Sequence, residues 1–306
     1  MVRSNRAVTQ RTTTSEDVPE EQMTFLGHLD ALRHALVRGS IPIILIIGLA
    51  LIVRLQPVMI GEMGLILPVP IPLTCDLNDP AACGSQMGDN VANQLIAQAQ
   101  QDLLPADVEM VTISPVDGVL AQVCVAGFVG LVLGMPFLVY QLGRFLSPAL
   151  RPRERKVAYA TIVPASSLFL GGALFAYRWL LPFTYAFLYG YVPTGTRSLI
   201  TLPSFIEFTV LFIVAFGLSF ELPVIMALLS YSGLVDPDLY RRGWRFAVIA
   251  IFIFAAVITP DASGVTMFIV AAPMVALYVV GWLVGRRVYP HGSSTSAERP
   301  RGVDAP

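Results

Sequence analysis

The stretch GVLAQVCVAGFVGLVLGMPFLVY, residues 118–140, runs for twenty-three positions without a single charge. A helix that crosses a bilayer needs ~20 mostly apolar residues. Only a helix or a closed barrel can span lipid, because hydrocarbon offers no partner to free backbone groups. The rest of the chain matches this reading. Of 306 residues 55% are hydrophobic and 13% charged, against about 25% charged in an ordinary soluble domain, and the mean hydropathy is +0.68.

Working outward, five more segments read as spans: Leu36 to Ile60, Val157 to Tyr177, Phe208 to Val235, Phe246 to Pro260 and Thr266 to Val284. The expected fold is an all-α membrane protein of six transmembrane helices. The last two are short, and the fifth at fifteen residues reaches only ~22 Å against a ~30 Å hydrocarbon core. Either the bilayer thins around it or Trp244, Arg245 and Thr259 extend it. Pro136, Pro164 and Pro273 lie inside other spans, where kinks are expected and a cupped arrangement follows.

Basic residues set the orientation. Seventeen of the twenty Arg and Lys fall in the N-terminal tail, the second and fourth connections and the C-terminal tail; Arg54, Arg178 and Arg197 fall on the other side. The positive-inside rule then puts both termini in the cytoplasm of a multi-pass protein of the cell membrane. Residues 1–22 and 290–306 read as disordered tails around a membrane domain at 23–289. The first outer loop, 61–117, holds eight acids and no base, and Asn90 to Leu104 has the apolar spacing of a short amphipathic helix. Cys75 and Cys83 share that loop; a disulfide between them and two free thiols are equally open.

The sequence has no HExxH, no GxSxG and no Walker A pattern, its three histidines lie outside the spans, and Glu221 is the one acid read inside a span. No enzyme, cofactor or metal is expected. Glu221 is costly at that depth, at least ~2.5–3.5 kcal/mol on insertion scales. It must therefore face protein or water, or carry a proton. It either serves a backbone group freed by Pro223, or binds something, or does both.

Three polar stretches remain. FLGHLDALRHAL, residues 25–36, makes a leucine stripe with Asp30, Arg33 and His34 on other faces, as an interfacial lead-in helix would. YQLGRFLSPALRPRERK, residues 140–156, surrounds Glu154 with basic residues. The third, SFELPV, holds Glu221 and Pro223. In this order, His28–Leu29–x–x–Leu32–Arg33, then Gln141, Phe145, Pro148, Leu150, Glu154 and Arg155, then Phe220–Glu221–x–Pro223, they resemble the TatC family over about Phe25 to Tyr289.

The resemblance implies the core receptor subunit of the twin-arginine protein translocase. Such a subunit binds Arg-Arg signal peptides of folded cargo and recruits single-span TatA/TatB-type partners, with export driven by the proton gradient. Glu154 would then be the main reader of arginine, since a carboxylate takes the guanidinium fork in a bidentate pair that lysine cannot reproduce. Asp30, Arg33, Phe145, Pro148 and Arg155 would complete the peptide site. Glu221 and Pro223 would form the partner groove, and Asp261 would lie in the outer turn. The family usually has an N-terminal Glu where this chain has Ala31; Asp30 sits one residue earlier, rotated by about 100° on a helix. A competing reading is a proton-coupled transporter of a small solute using Glu221. It lacks the matching half and the second buried polar group that such transporters carry.

Overall fold

The computed structural model describes residues 25–60, 63–70, 90–105, 107–146, 156, 159–193, 196, 198–259 and 264–289. Both tails, Cys75, Cys83, Pro148, Glu154, Arg155 and Asp261 lie outside the described residues.

The chain is built of α1 (Phe25–Ile52), β1 (Val53–Ile60), β2 (Met63–Pro70), α2 (Val91–Leu103), β3 (Val108–Val111), α3 (Asp117–Leu146), α4 (Ile162–Phe175), a π-turn (Ala176–Leu180), α5 (Leu181–Gly190), β4 (Ser198–Thr201), α6 (Leu202–Phe220), α7 (Leu222–Tyr231), α8 (Pro237–Ile258) and α9 (Gly264–Val288). Three helical runs are long and apolar enough to cross a membrane, Asp117–Arg144, Leu202–Tyr231 and Gly264–Val288. In α1 the apolar part is Val37–Ile52.

Several boundaries differ from the sequence reading, each for a local reason. The first helix stops at Ile52, not Ile60, and the next eight residues pair antiparallel with β2. Pro57 has no N–H for a helix and restricts the residue before it to extended backbone. The third segment does not end at Tyr177; it passes through the π-turn and continues to Gly190, carrying Arg178 inside the helical run. The fourth begins at Leu202, six residues early, with Pro203 in its first turn, where a missing N–H costs nothing.

The expectation of two short final helices is corrected. The fifth, α8, has 22 residues, because Asp236 caps its start with a 2.8 Å bond from the Asp238 N–H and Pro237 opens the first turn. Its apolar portion nevertheless begins only at Phe246. The sixth, α9, has 25 residues, about 37 Å at 1.5 Å per residue, so it is not short.

At one end of the bundle, α2 lies as a cap. Asn90 caps it, accepting from the Asn93 N–H at 2.8 Å, and donates to the Gln122 Oε1 of α3 at 2.8 Å. Tyr177 donates to Asp102 of α2 at 2.6 Å. Strands β3 and β4 pair in parallel from Val108↔Ser198 to Val111↔Thr201, so the segments leading into α3 and α6 meet at this same end.

Lipid-embedded helices gain little from the hydrophobic effect on each other; small residues that let backbones approach hold them together. Gly130 and Gly134 of α3 lie against Ile47 and Ile43 of α1, and Gly281 and Gly285 of α9 against Pro223, Met226 and Ser230 of α7. Gly217 of α6 takes the ring of Phe169, while Gly172 of α4 takes that of Phe220. Phe205, Phe212 and Phe216 of α6 are fully buried, and Tyr185 donates to the Phe205 carbonyl at 3.3 Å and is 3.0 Å from Thr209 Oγ1.

The α4–α6 crossing gives a paired prediction. A Cβ at Gly172 would stand 2.6 Å from Phe220 Cγ and 2.9 Å from the Phe216 carbonyl oxygen, whereas one at Gly171 meets nothing within 4 Å. Gly172→Ala is expected to cost about 1–3 kcal/mol through overpacking. Gly171→Ala is expected to be neutral or slightly stabilising, since alanine favours helix over glycine by up to ~1 kcal/mol. Thermal unfolding of the two detergent-purified variants checks this; equal midpoints would contradict the crossing.

Candidate functional site

The polar stretches of the sequence occupy two places. The first is the end of the bundle opposite the α2 cap. Helices α1 and α3 pack antiparallel in a register read from their side chains: Ile47 faces Gly130, Ile43 faces Gly134, and a Cβ at Gly39 would stand 3.2 Å from Leu138 Cδ2 and 3.8 Å from Gln141 Cβ. About two turns further along α1 comes the Asp30–Arg33 segment, and about one turn further along α3 comes Phe145. The two expected peptide-binding segments therefore approach one end of one helix pair. The Gln141 side chain, first residue of the second motif, is 7% exposed at this crossing. Arg33 and His34 are exposed. Asp30 and Phe145 are described only as positions on their helices, and the connection carrying Glu154 starts after Leu146.

The second place is the break between α6 and α7. Pro223 has no N–H to return to Ser219 and its ring crowds the carbonyl four residues back. The helix yields just before it: the Glu221 N–H donates to Leu218, three residues back, at 3.1 Å, and the ordinary ladder resumes with Ile225 donating to the Glu221 carbonyl at 3.0 Å. Ser219 folds its hydroxyl onto the Ala215 carbonyl at 2.7 Å, a bond of the kind that bends helices. Glu221 thus sits at the kink with its side chain 8% exposed, and its Oε1 has no hydrogen-bond partner among the described residues.

Of the environments open to Glu221, the structure places it against protein. Serving the backbone group freed by Pro223 does not suit an ionised side chain, because that group is a carbonyl acceptor and a carboxylate is also an acceptor. Pro223 has a structural duty besides: its Cα would lie 3.0 Å from a Cβ at Gly281. With Ala227, Leu228, Val280 and Val284 it lines an apolar groove of about 370 Å³.

A second acid was missed. Because α6 starts at Leu202, Glu207 belongs to the Leu202–Tyr231 run, and its side chain is exposed. Pro203, at a position favoured in first turns, was the available signal.

A profile of the family described as Sec-independent protein translocase protein (TatC) matches residues 27–273. The chain belongs to the TatC family. It is 34% identical to the TatC protein of Cenarchaeum symbiosum over 267 residues, which cover 87% of this chain and 96% of that one. It is 37% identical to that of Deinococcus radiodurans over 193 residues, 63% and 71% of the two chains. A crystal structure of the twin-arginine translocase receptor TatC superposes with a TM-score of 0.65 at 24% identity, covering 85% of this chain and 99% of that one. The architecture is thus the TatC fold. This is a membrane protein of a protein-translocase family, which is not a family of enzymes.

Proposed function

We propose that this chain is the receptor subunit of a twin-arginine translocase, with six spans and both termini in the cytoplasm. The observation that carries the reading is the α1–α3 register, which brings the Asp30–Arg33 segment and the Phe145 end of α3 to the same end of the bundle. In sequence, the Arg-rich stretch from Arg144 to Lys156 follows directly on the end of α3.

In this reading the signal peptide lies at the cytoplasmic membrane surface. Glu154 accepts the guanidinium fork of one arginine. Basic neighbours, Arg151, Arg153, Arg155 and Lys156, favour its ionised form. Asp30 supplies the second acid, displaced by one residue from the usual family position, while Arg33, Phe145, Pro148 and Arg155 shape the surface. Glu221, whose Oε1 has no hydrogen-bond partner among the described residues at the α6–α7 kink, offers a polar contact to a single-span TatA- or TatB-type partner within the membrane. Asp261 belongs to the outer turn between α8 and α9. Transport draws on the proton gradient, and this subunit performs no covalent chemistry.

The test is binding of a fluorescent signal peptide to the detergent-purified protein, Arg-Arg against Lys-Lys. A bidentate carboxylate reader predicts at least about tenfold preference for Arg-Arg, the loss of ~1.4 kcal/mol or more when the fork becomes a point charge. Equal binding by a folded protein would overturn the reading.

A further inference from the structure

A groove of about 370 Å³ opens between α8 and α9 at the end where α8 begins and α9 finishes. Its rim is made of Tyr240, Arg241, Trp244 and Trp282, and its depth of Val248, Val275 and Val279. Seven residues separate Arg241 from Val248 along α8, and seven separate Val275 from Trp282 along α9. At 1.5 Å per residue the slot descends about 10 Å from rim to floor. The rim is held in shape by Tyr278, which donates to the Tyr240 carbonyl at 2.9 Å.

The rim is strongly basic. Arg245 stacks over Trp244 at 5.9 Å and Arg286 over Trp282 at 5.5 Å. A guanidinium stacked on a ring keeps its N–H edges available for a phosphate. Arg241, Arg242, Arg245, Arg286 and Arg287 are all exposed. The acids nearest in sequence, Asp236 and Asp238, stand at the start of α8, where Asp236 is engaged as the helix cap. In the wall of the groove, the Trp282 indole N–H is buried with no acceptor among the described residues, an arrangement that costs free energy until an acceptor arrives.

We propose that this groove holds an anionic phospholipid, its phosphate at Arg241, Arg245 and Arg286 and one acyl chain along Val248, Val275 and Val279. Three features favour a lipid over a free anion or a helix of another protein. The slot is continuous from a cationic rim to an apolar floor. Its Trp and Tyr rings sit at that junction, as rings do at headgroup level. Its basic mouth lies between α8 and α9, the second of which is long and apolar enough to cross a membrane, and basic pockets between membrane helices bind acidic headgroups.

The experiment uses the full chain, reconstituted in phosphatidylcholine vesicles. It has three tryptophans, so Trp179→Phe leaves Trp244 and Trp282, both on the groove rim, as the only emitters. Phosphatidylglycerol brominated on its acyl chains is titrated as quencher, against brominated phosphatidylcholine. The expected result is half-maximal quenching at a mole fraction at least about fivefold lower for the anionic lipid. Arg241→Gln and Arg286→Gln should each reduce that preference about fivefold while leaving the phosphatidylcholine curve in place. Both arginines are on the surface, so the folded protein should tolerate these changes. Coincident curves for the two lipids would reduce the groove to ordinary lipid contact and overturn the proposal. Loss of quenching on adding a purified single-span translocase partner at constant lipid would assign the groove to a protein and overturn it equally.

Discussion

Glu154→Ala is expected to lower affinity for an Arg-Arg signal peptide by about thirtyfold or more. Truncating one partner of a hydrogen-bonded charge pair typically costs 2–5 kcal/mol, and much of this comes from leaving the other charge unpaired. Arginine is planar and offers parallel donors, so the loss falls on Arg-Arg and not on a Lys-Lys control. Glu154→Asp keeps the charge but shortens the reach, and should lie between wild type and Glu154→Ala. Asp30→Asn gives a smaller loss if Asp30 contributes the second acid, since its place on α1 is rotated from the usual one. Peptide titration by fluorescence anisotropy on the purified variants reads all of these; wild-type affinity in Glu154→Ala would move the peptide site elsewhere on the protein.

Glu221→Leu is expected to separate the two proposed functions and to stabilise the isolated subunit. The Glu221 carboxyl is buried at the kink and Oε1 meets no donor among the described residues. A buried polar group without a partner costs about 1–3 kcal/mol, and replacing it with an apolar side chain of similar size recovers part of that cost. The thermal midpoint of the detergent-purified variant is therefore expected to rise. Arg-Arg peptide binding stays within about twofold of wild type, because Pro223 and the helix break are untouched. Capture of a TatA-type partner in co-purification falls at least about tenfold, as expected for the loss of a polar contact in the membrane at ~1.4 kcal/mol or more. A lowered midpoint would mean that Glu221 has a stabilising contact within the chain, and loss of peptide binding in folded protein would end the division of labour between the two acids.

The sequence by itself determined the class and the ingredients. A charge-free run at Gly118 to Tyr140 and a mean hydropathy of +0.68 dictate helices in lipid, since no other open structure satisfies its backbone there. Three motifs in order carried the family. Helix limits were less legible, because hydropathy reports where a chain is greasy and not where it is helical. It could not show that Pro57 diverts the first segment into a strand, that the third passes through a π-turn, or that Pro203 and Pro237 start helices early. Nor could it show that Pro223 breaks a run that by hydropathy alone is continuous.

Only the tertiary structure decided what meets what. Glycines read as ordinary small residues in a span; which of them touch is fixed by crossing geometry, as at Gly134 with Ile43 and Gly281 with Pro223. The approaches of Gly130 and Gly134 to α1 set the α1–α3 register, and the register, not either motif, brings the Asp30 position and the end of α3 to one end of the bundle. Burial of Glu221 was likewise undecided in one dimension. The chain places a carboxylate in an apolar run, but whether it looks to lipid, water or protein depends on how the helix turns at its break and what packs against it.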